Sequence, residues 1–219
     1  MADYWTKERI VEHISTLKDT NTHEKLGQFF DDWAPHYDKA MESMKYVGPS
    51  IASICLQKYV KSKDARIFDV ASGTGLAGEY LANSGYTNID AIDGSASSIE
   101  VARKKNVYKN LYVQWIGGDN KMDVENDSYD ALIIVGAFAF NHLKSDVFPD
   151  LIRVTKPGGY IVNNLRARWL KLEASYADGK LEADMEKHEK EGKWKLVERH
   201  VKEEEDSDQN VVTFIHQVC

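Results

Sequence analysis

The stretch DVASGTGLAG, Asp69 to Gly78, follows the apolar pair Ile67 and Phe68 and opens into the helix-forming run LAGEYLANSG. Glycines at 73, 75 and 78 keep the G-x-G-x-x-G spacing of a tight turn from a strand into a helix. The next apolar strand, NIDAID, ends on an acid, Asp93, which lies 93 − 75 = 18 residues after the central glycine. A strand, a glycine turn, a helix and a second strand closed by an acid make the first half of a doubly wound α/β sheet. The binding crevice of such a sheet lies at the carboxyl ends of its strands.

The alternation continues outward. LYVQWIG, YDALIIVGAFA and GGYIVNNL read as further strands, with SASSIEVARKKN and VFPDLIRVT as the helices between them. A run as apolar as ALIIV suits a parallel strand covered on both faces. Upstream, Thr6 is expected to cap a helix with Ile10, Val11, Ile14 and Leu17 on one face. A second helical stretch, EKLGQFFDDWAPHYDKAME, is expected to break near Pro35, and SIASICLQKYVKS forms a third. Downstream, KLEASYADGKLEADMEKHEKEG reads as a polar helix stopped by Gly192. WKLVERHVKE and NVVTFIHQV then read as two strands joined by an acidic loop. The expected organisation is a single domain: an N-terminal helical cap over 1–60, packed on a core over 61–219.

Of 219 residues, 42% are apolar and 29% charged, a globular composition. Lys and Arg number 28 and Asp and Glu 35, so the net charge of 28 − 35 = −7 argues against a broad nucleic-acid or anionic-membrane surface. Two cysteines, Cys55 and Cys219, form no disulfide framework, and the seven histidines show no paired ligand spacing, so no metal is implied. The start, MADYWTKERIVEHIS, lacks the apolar core of a signal peptide, and no run is long enough to span a bilayer. A cytoplasmic location is expected, with the nucleus open to diffusion. Oligomeric state is not legible.

What the glycine turn binds follows from its acids. Asp93 is placed to accept both hydroxyls of a ribose, which points to a nucleoside-containing ligand. Asp69, at the end of the first strand, disfavours a pyrophosphate. Like charges 4 Å apart repel by about 4 kcal/mol at an effective dielectric of ~20. A ligand with an ammonium group in place of phosphates uses that carboxylate, and its own carboxylate can sit on the backbone N–H groups of the turn. S-adenosylmethionine combines adenosine, ammonium, carboxylate and a sulfonium. A nicotinamide oxidoreductase is the weaker alternative. One domain leaves no second catalytic half, and YADGK, Tyr176 to Lys180, matches a reductase Tyr-x-x-x-Lys only by coincidence of spacing.

GGDNK after the third strand, YDALIIVGAFAFNHL, and the helix, Pro-Gly-Gly turn and strand of LIRVTKPGGYIV complete the pattern. Together with the glycine turn they resemble the class I S-adenosylmethionine-dependent methyltransferases over residues 65–165. The similarity extends through FDDWAPHYDKAME and KYVGPS before the core and EKEGKWKLVE after it. The resemblance implies a Rossmann-like, seven-stranded, mostly parallel sheet with a C-terminal antiparallel hairpin. It also implies transfer of a methyl group from S-adenosylmethionine, leaving S-adenosylhomocysteine, to an unidentified small-molecule or protein acceptor. A protein that binds the cofactor without turnover is the main alternative.

The resulting site assignments put Asp69, Ala71, Ser72, Gly73, Thr74 and Gly75 at the methionine end and Asp93 on the ribose. Gly94, Ser98, Gly118, Asp119 and Asn120 surround the adenine, and Val135 and Gly136 form the floor. Tyr37 resembles the N-terminal tyrosine that closes over the methionine moiety, and Tyr46 is a candidate of the same kind. On the acceptor side stand Trp33, Asn164, Arg166 and Arg168, with His142 as a candidate general base. Plainer alternatives stay open at this level: core packing for Trp33 and Tyr37, surface charge for the two arginines, a solvated loop for His142. IVGAFAF replaces the Asn-Pro-Pro-Tyr type of tetrad, against DNA-adenine or glutamine amide methylation.

Overall fold

In the computed structural model, which describes residues 7–19 and 22–219, the sheet grows from Ile67–Val70, β1. Thr6, the expected helix cap, lies outside the described residues. Before β1 come α1 (Lys7–Ser15), α2 (His23–Ser43) and α3 (Gly48–Tyr59). After it follow α4 (Leu76–Asn83), β2 (Ile89–Asp93), α5 (Ala96–Lys104), β3 (Asn110–Val113), β4 (Tyr129–Val135), α6 (Phe148–Val154) and β5 (Thr155–Arg166). The chain closes with α7 (Trp169–Leu172), α8 (Lys180–Lys190), β6 (Trp194–Lys202) and β7 (Val211–Val218).

The seven strands lie in the order β3-β2-β1-β4-β5-β7-β6. Strands β3 to β5 pair in parallel, with Ile67 between Ile89 and Ala131, and β7 runs antiparallel to both β5 and β6. This is the expected sheet, hairpin included. The chain leaves β1 towards β2 on one side and returns to β4 on the other, so a crevice opens at the carboxyl ends of β1 and β4. Alternate side chains of the central strands feed two apolar layers. Phe68, Val70, Leu132 and Ile134 face one, and Ile67, Ala131 and Ile133 face the other. Helix α3 belongs to the second layer through Ala52, Cys55 and Leu56, so α1 and α2 alone stand apart, with their own cluster around Phe29, Trp33 and Met41.

Three expectations are corrected. Helix α2 runs unbroken through Pro35. A proline there forgoes one helical hydrogen bond at a cost of about 3 kcal/mol, yet tertiary anchors hold the helix on both sides. Asp31 Oδ1 accepts from Ser95 Oγ at 2.6 Å and Ser97 N at 3.1 Å, while Asp38 Oδ1 accepts from Thr74 Oγ1 at 2.5 Å. The polar helix expected after Leu170 is instead α7, a turn and α8. The turn is held by Tyr176, whose buried hydroxyl donates to the Ala139 carbonyl at 3.1 Å and also meets that of Leu143. Strand β3 ends at Val113 rather than running to Gly117, because an exposed edge strand has no further neighbour to pair with.

Candidate functional site

A cavity of about 740 Å³ occupies the crevice, floored by the ends of β1, β2, β4 and β5 and walled by α2. The volume suits a small-molecule ligand. It has two chemically distinct halves.

In the half over β1 and β2 the backbone curls through positive φ at Ala71 (53°), Gly73 (53°) and Gly75 (87°). The three motif glycines have different tasks. A Cβ at Gly73 would meet no atom within 4 Å, and its N–H donates to Asp93 Oδ2 at 2.8 Å, so Gly73 presents bare backbone to the cavity. Gly75 and Gly78 face inward instead. The ring of Tyr108 fills the space their side chains would need, 2.8 Å from a Gly75 Cβ and 2.2 Å from a Gly78 Cβ. Tyr108 Oη then donates to Asp69 Oδ2 at 2.6 Å. Nothing in the local pattern marks Tyr108, which reaches the loop from beyond α5.

Asp69 is 1% exposed, and burial pushes its carboxyl up to about 7, opposed by the hydrogen bonds from Tyr108 and the Gly78 backbone. Asp93 is also raised by burial, against donation from the Ser95 and Gly73 backbone, with Ser95 N at 2.8 Å from Oδ1. A carboxylate offers about four acceptor sites, so Asp93 keeps acceptor capacity while holding the loop. Ser72 Oγ is buried without a partner.

The remaining cofactor candidates gather around this loop. Thr74, through Asp38, belongs to a polar clasp. Lys105 Nζ lies 2.6 Å from Asp38 Oδ2 and also pairs with Glu79, so α2 is tied to both the glycine turn and α5. Ser98 is buried at the cavity wall, its N–H donating to Ser95 Oγ. Gly94 lies against Trp115, whose ring would be 2.4 Å from a Cβ there, and His23 stacks on that ring at 5.1 Å. Trp115 lines the cavity, and its sequence context, which reads as an ordinary strand, gives no sign of that. Gly118 donates to Asp146 Oδ2 at 3.1 Å, and Asp119 and Asn120 are exposed at the rim.

The half over β4 and β5 is aromatic and cationic. Val135 and Gly136 reach the cavity, and Tyr46 Oη lies 3.0 Å from where a Gly136 Cβ would sit. Trp33 and Tyr37 cross edge to face at 4.9 Å, and burial raises the hydroxyls of Tyr37 and Tyr46, which stay neutral. His142 Nδ1 lies 2.5 Å from the Phe140 carbonyl. A carbonyl only accepts, so Nδ1 carries the hydrogen and Nε2 the lone pair. Burial lowers the His142 pKa, keeping the ring neutral and able to accept a proton near pH 7. Arg166 is 7% exposed, its guanidinium 4.8 Å above the Tyr46 ring. Arg168 lies over Trp169 at 4.8 Å and reaches Asp208 at 3.7 Å. Asn164 is corrected: it is fully buried below the floor, with Nδ2 donating to Thr213 Oγ1 at 2.8 Å, and does not line the cavity. Among the described residues no group of three His, Cys, Asp or Glu could hold a metal, and no helix is long and apolar enough to cross a membrane.

With this geometry in view, similarity to known proteins is specific. Residues 67–159 match a family model described as a methyltransferase domain. Methyltransferase-like protein 27 of Homo sapiens is 33% identical over 168 residues, 76% of this chain and 66% of that protein. The chain thus spans just under two thirds of the length of the curated relatives it matches first. Among solved structures, an S-adenosylmethionine-dependent methyltransferase of Leishmania major superposes with a TM-score of 0.65 at 14% identity, covering 92% of this chain and 86% of that one. The cyclase SpnF gives 0.69 at 11% identity over 90% and 97%. At such identities the likeness speaks for the fold alone.

Proposed function

We propose that the chain is a class I S-adenosylmethionine-dependent methyltransferase that methylates an acceptor held in the β4 and β5 half of its cavity. The observation that carries this reading is the pair of buried carboxylates, Asp69 and Asp93, flanking the bare backbone of Gly73. The residues fit the cofactor. Asp93 would hold the ribose hydroxyls, Asp69 would face the ammonium, and the open N–H side of the glycine turn would receive the carboxylate. Trp115 and Gly94 would border the adenine, with Ser98 and the backbone of residues 118–120 around it.

When bound, S-adenosylmethionine supplies an electrophilic methyl carbon, taken by a lone pair of the acceptor while the C–S electron pair stays on sulfur. The chain's contribution is alignment and exclusion of water. Tyr37, Trp33 and Tyr46 wall the space between the two halves. His142 Nε2 would accept the acceptor's proton where the acceptor needs deprotonating. A cytoplasmic location belongs to the same proposal, supported by two unpaired cysteines.

Parallel binding titrations with S-adenosylmethionine and NADH test the reading. Binding of the first and not of the second is expected. NADH binding without S-adenosylmethionine binding would replace methyl transfer with hydride transfer.

A further inference from the structure

Arg166 brings a full positive charge into the cavity, and among the described residues no acid forms an ion pair with it. It stands at the carboxyl end of β5, 7% exposed, and its Nη1 is buried without any hydrogen-bond partner. The ring beneath its guanidinium, Tyr46, is a neutral phenol whose hydroxyl pKa is pushed up by burial. Arg168, two residues on, adds a second guanidinium, with Nε also buried and unpartnered. Asp208, at 3.7 Å, and Asp206 offset Arg168 in part. Two cations converge on a cavity whose walls in this half include Phe30, Trp33, Tyr37 and Trp169, with His142 beside them.

Burying a guanidinium with an idle donor is unfavourable unless an anion completes it. The contrast inside the same protein is instructive. Arg66 and Arg153, also partly buried, are each paired with an aspartate, Asp90 at 3.0 Å and Asp150 at 2.7 Å. Among the described residues Arg166 has no such carboxylate. The planar fork of a guanidinium matches a carboxylate in two parallel hydrogen bonds. The aromatic walls favour a flat, apolar body attached to it.

Resting on the methyltransferase reading above, we propose that the methyl acceptor is a small aromatic carboxylic acid, its carboxylate seated on Arg166 with Arg168 towards the rim. The carboxylate serves recognition. The methyl goes to a different oxygen, nitrogen or sulfur of the same molecule, because charge pairing with Arg166 makes the carboxylate oxygens poor nucleophiles. A protein substrate fits less well, since the charge to be met lies at the cavity floor and not at its mouth.

The test is calorimetric titration of the protein saturated with S-adenosylhomocysteine, using benzoate, phenylacetate and indole-3-acetate, each against its own amide. The pairs share shape and differ by one charge. At least one acid is expected to bind tenfold or more tightly than its amide. Arg166→Met is expected to abolish that difference while leaving S-adenosylhomocysteine affinity within twofold. Arg166→Lys, which keeps the charge without the fork, should retain part of the preference and guards against a misfolded variant. Equal affinity for acids and amides, or no acid binding at all, overturns the proposal. Loss of S-adenosylhomocysteine binding in both variants also overturns it, because Arg166 would then serve the cofactor's own carboxylate. Failure of wild type to bind S-adenosylhomocysteine is a separate result that removes the methyltransferase reading itself.

Discussion

The two halves of the cavity treat their charges in opposite ways. Over β1 and β2 each buried carboxylate is already supplied with donors from the chain: Tyr108 for Asp69, and the N–H groups of Gly73 and Ser95 for Asp93. Over β4 and β5 the charged groups are donors left idle, Arg166 Nη1 and Arg168 Nε. The first half is built to hold its shape before a ligand arrives. The second is incomplete by itself. A cofactor shared across a fold needs a preformed cradle, whereas an acceptor site leaves its specificity groups open for the molecule that satisfies them.

The largest expected effect lies in the first half. Asp93→Ala removes the proposed ribose acceptor and releases both Gly73 and Ser95, so cofactor affinity should fall on the order of 100-fold, about 2.7 kcal/mol. The melting temperature should fall as well, and calorimetric titration and a thermal scan read the two losses.

The glycines sharpen the contrast further. Gly78→Ala puts a methyl 2.2 Å from Tyr108 Oη and must dislodge the ring from Asp69. We expect a stability loss of ~1–3 kcal/mol in urea unfolding, with a smaller effect on binding. Gly73→Ala, at φ 53° but with open space around its Cβ, should do the reverse. Its strain cost is about 1 kcal/mol, and it should lose more cofactor affinity than stability. Equal profiles for the two variants would contradict the division of tasks among the motif glycines.

In the second half a loss of function should come with a gain in stability. Arg166→Met replaces an idle buried charge by an apolar side chain of similar length. The unfolding free energy is expected to rise by about 1 kcal/mol. A destabilised variant would mean that Arg166 holds the fold together.

A smaller effect comes from Asp69. Its folded pKa of about 7 lies above the ordinary carboxylate value near 3.8, so between those values the folded state binds a proton that the unfolded state has released. Stability from this group is therefore fully present below pH 4 and is lost as pH rises through 7. Relative to Asp69→Asn, wild type should weaken across that window by on the order of 1 kcal/mol. A flat difference between the two would show that Asp69 is ionised throughout.

The first half was legible because its signals are local. A glycine turn between a strand and a helix, and an acid ending the next strand, sit within 25 residues, Asp69 to Asp93, and the alternating apolar runs mark a doubly wound sheet. Tyr108 and Trp115 were not legible, since each meets its glycine only after α5 and β3 fold back. The unbroken α2 was hidden for the same reason: Pro35 argues locally for a break, and the anchors at Asp31 and Asp38 that override it come from 36 or more residues away. In the second half the residue types were visible but not their state. Arg166 reads as either an acceptor-side group or a surface charge, and only the fold shows it buried with an unpartnered Nη1. Asn164 reads as a site residue, and only the register with β7 places it on Thr213.

The central claim is that Asp69, Gly73 and Asp93 form a cradle for S-adenosylmethionine. Calorimetric titration with S-adenosylhomocysteine, on wild type and Asp93→Ala side by side, tests it most directly. The account expects micromolar-range binding by wild type that is abolished or weakened at least 100-fold by the substitution. No binding by wild type, or equal binding by both proteins, would contradict it.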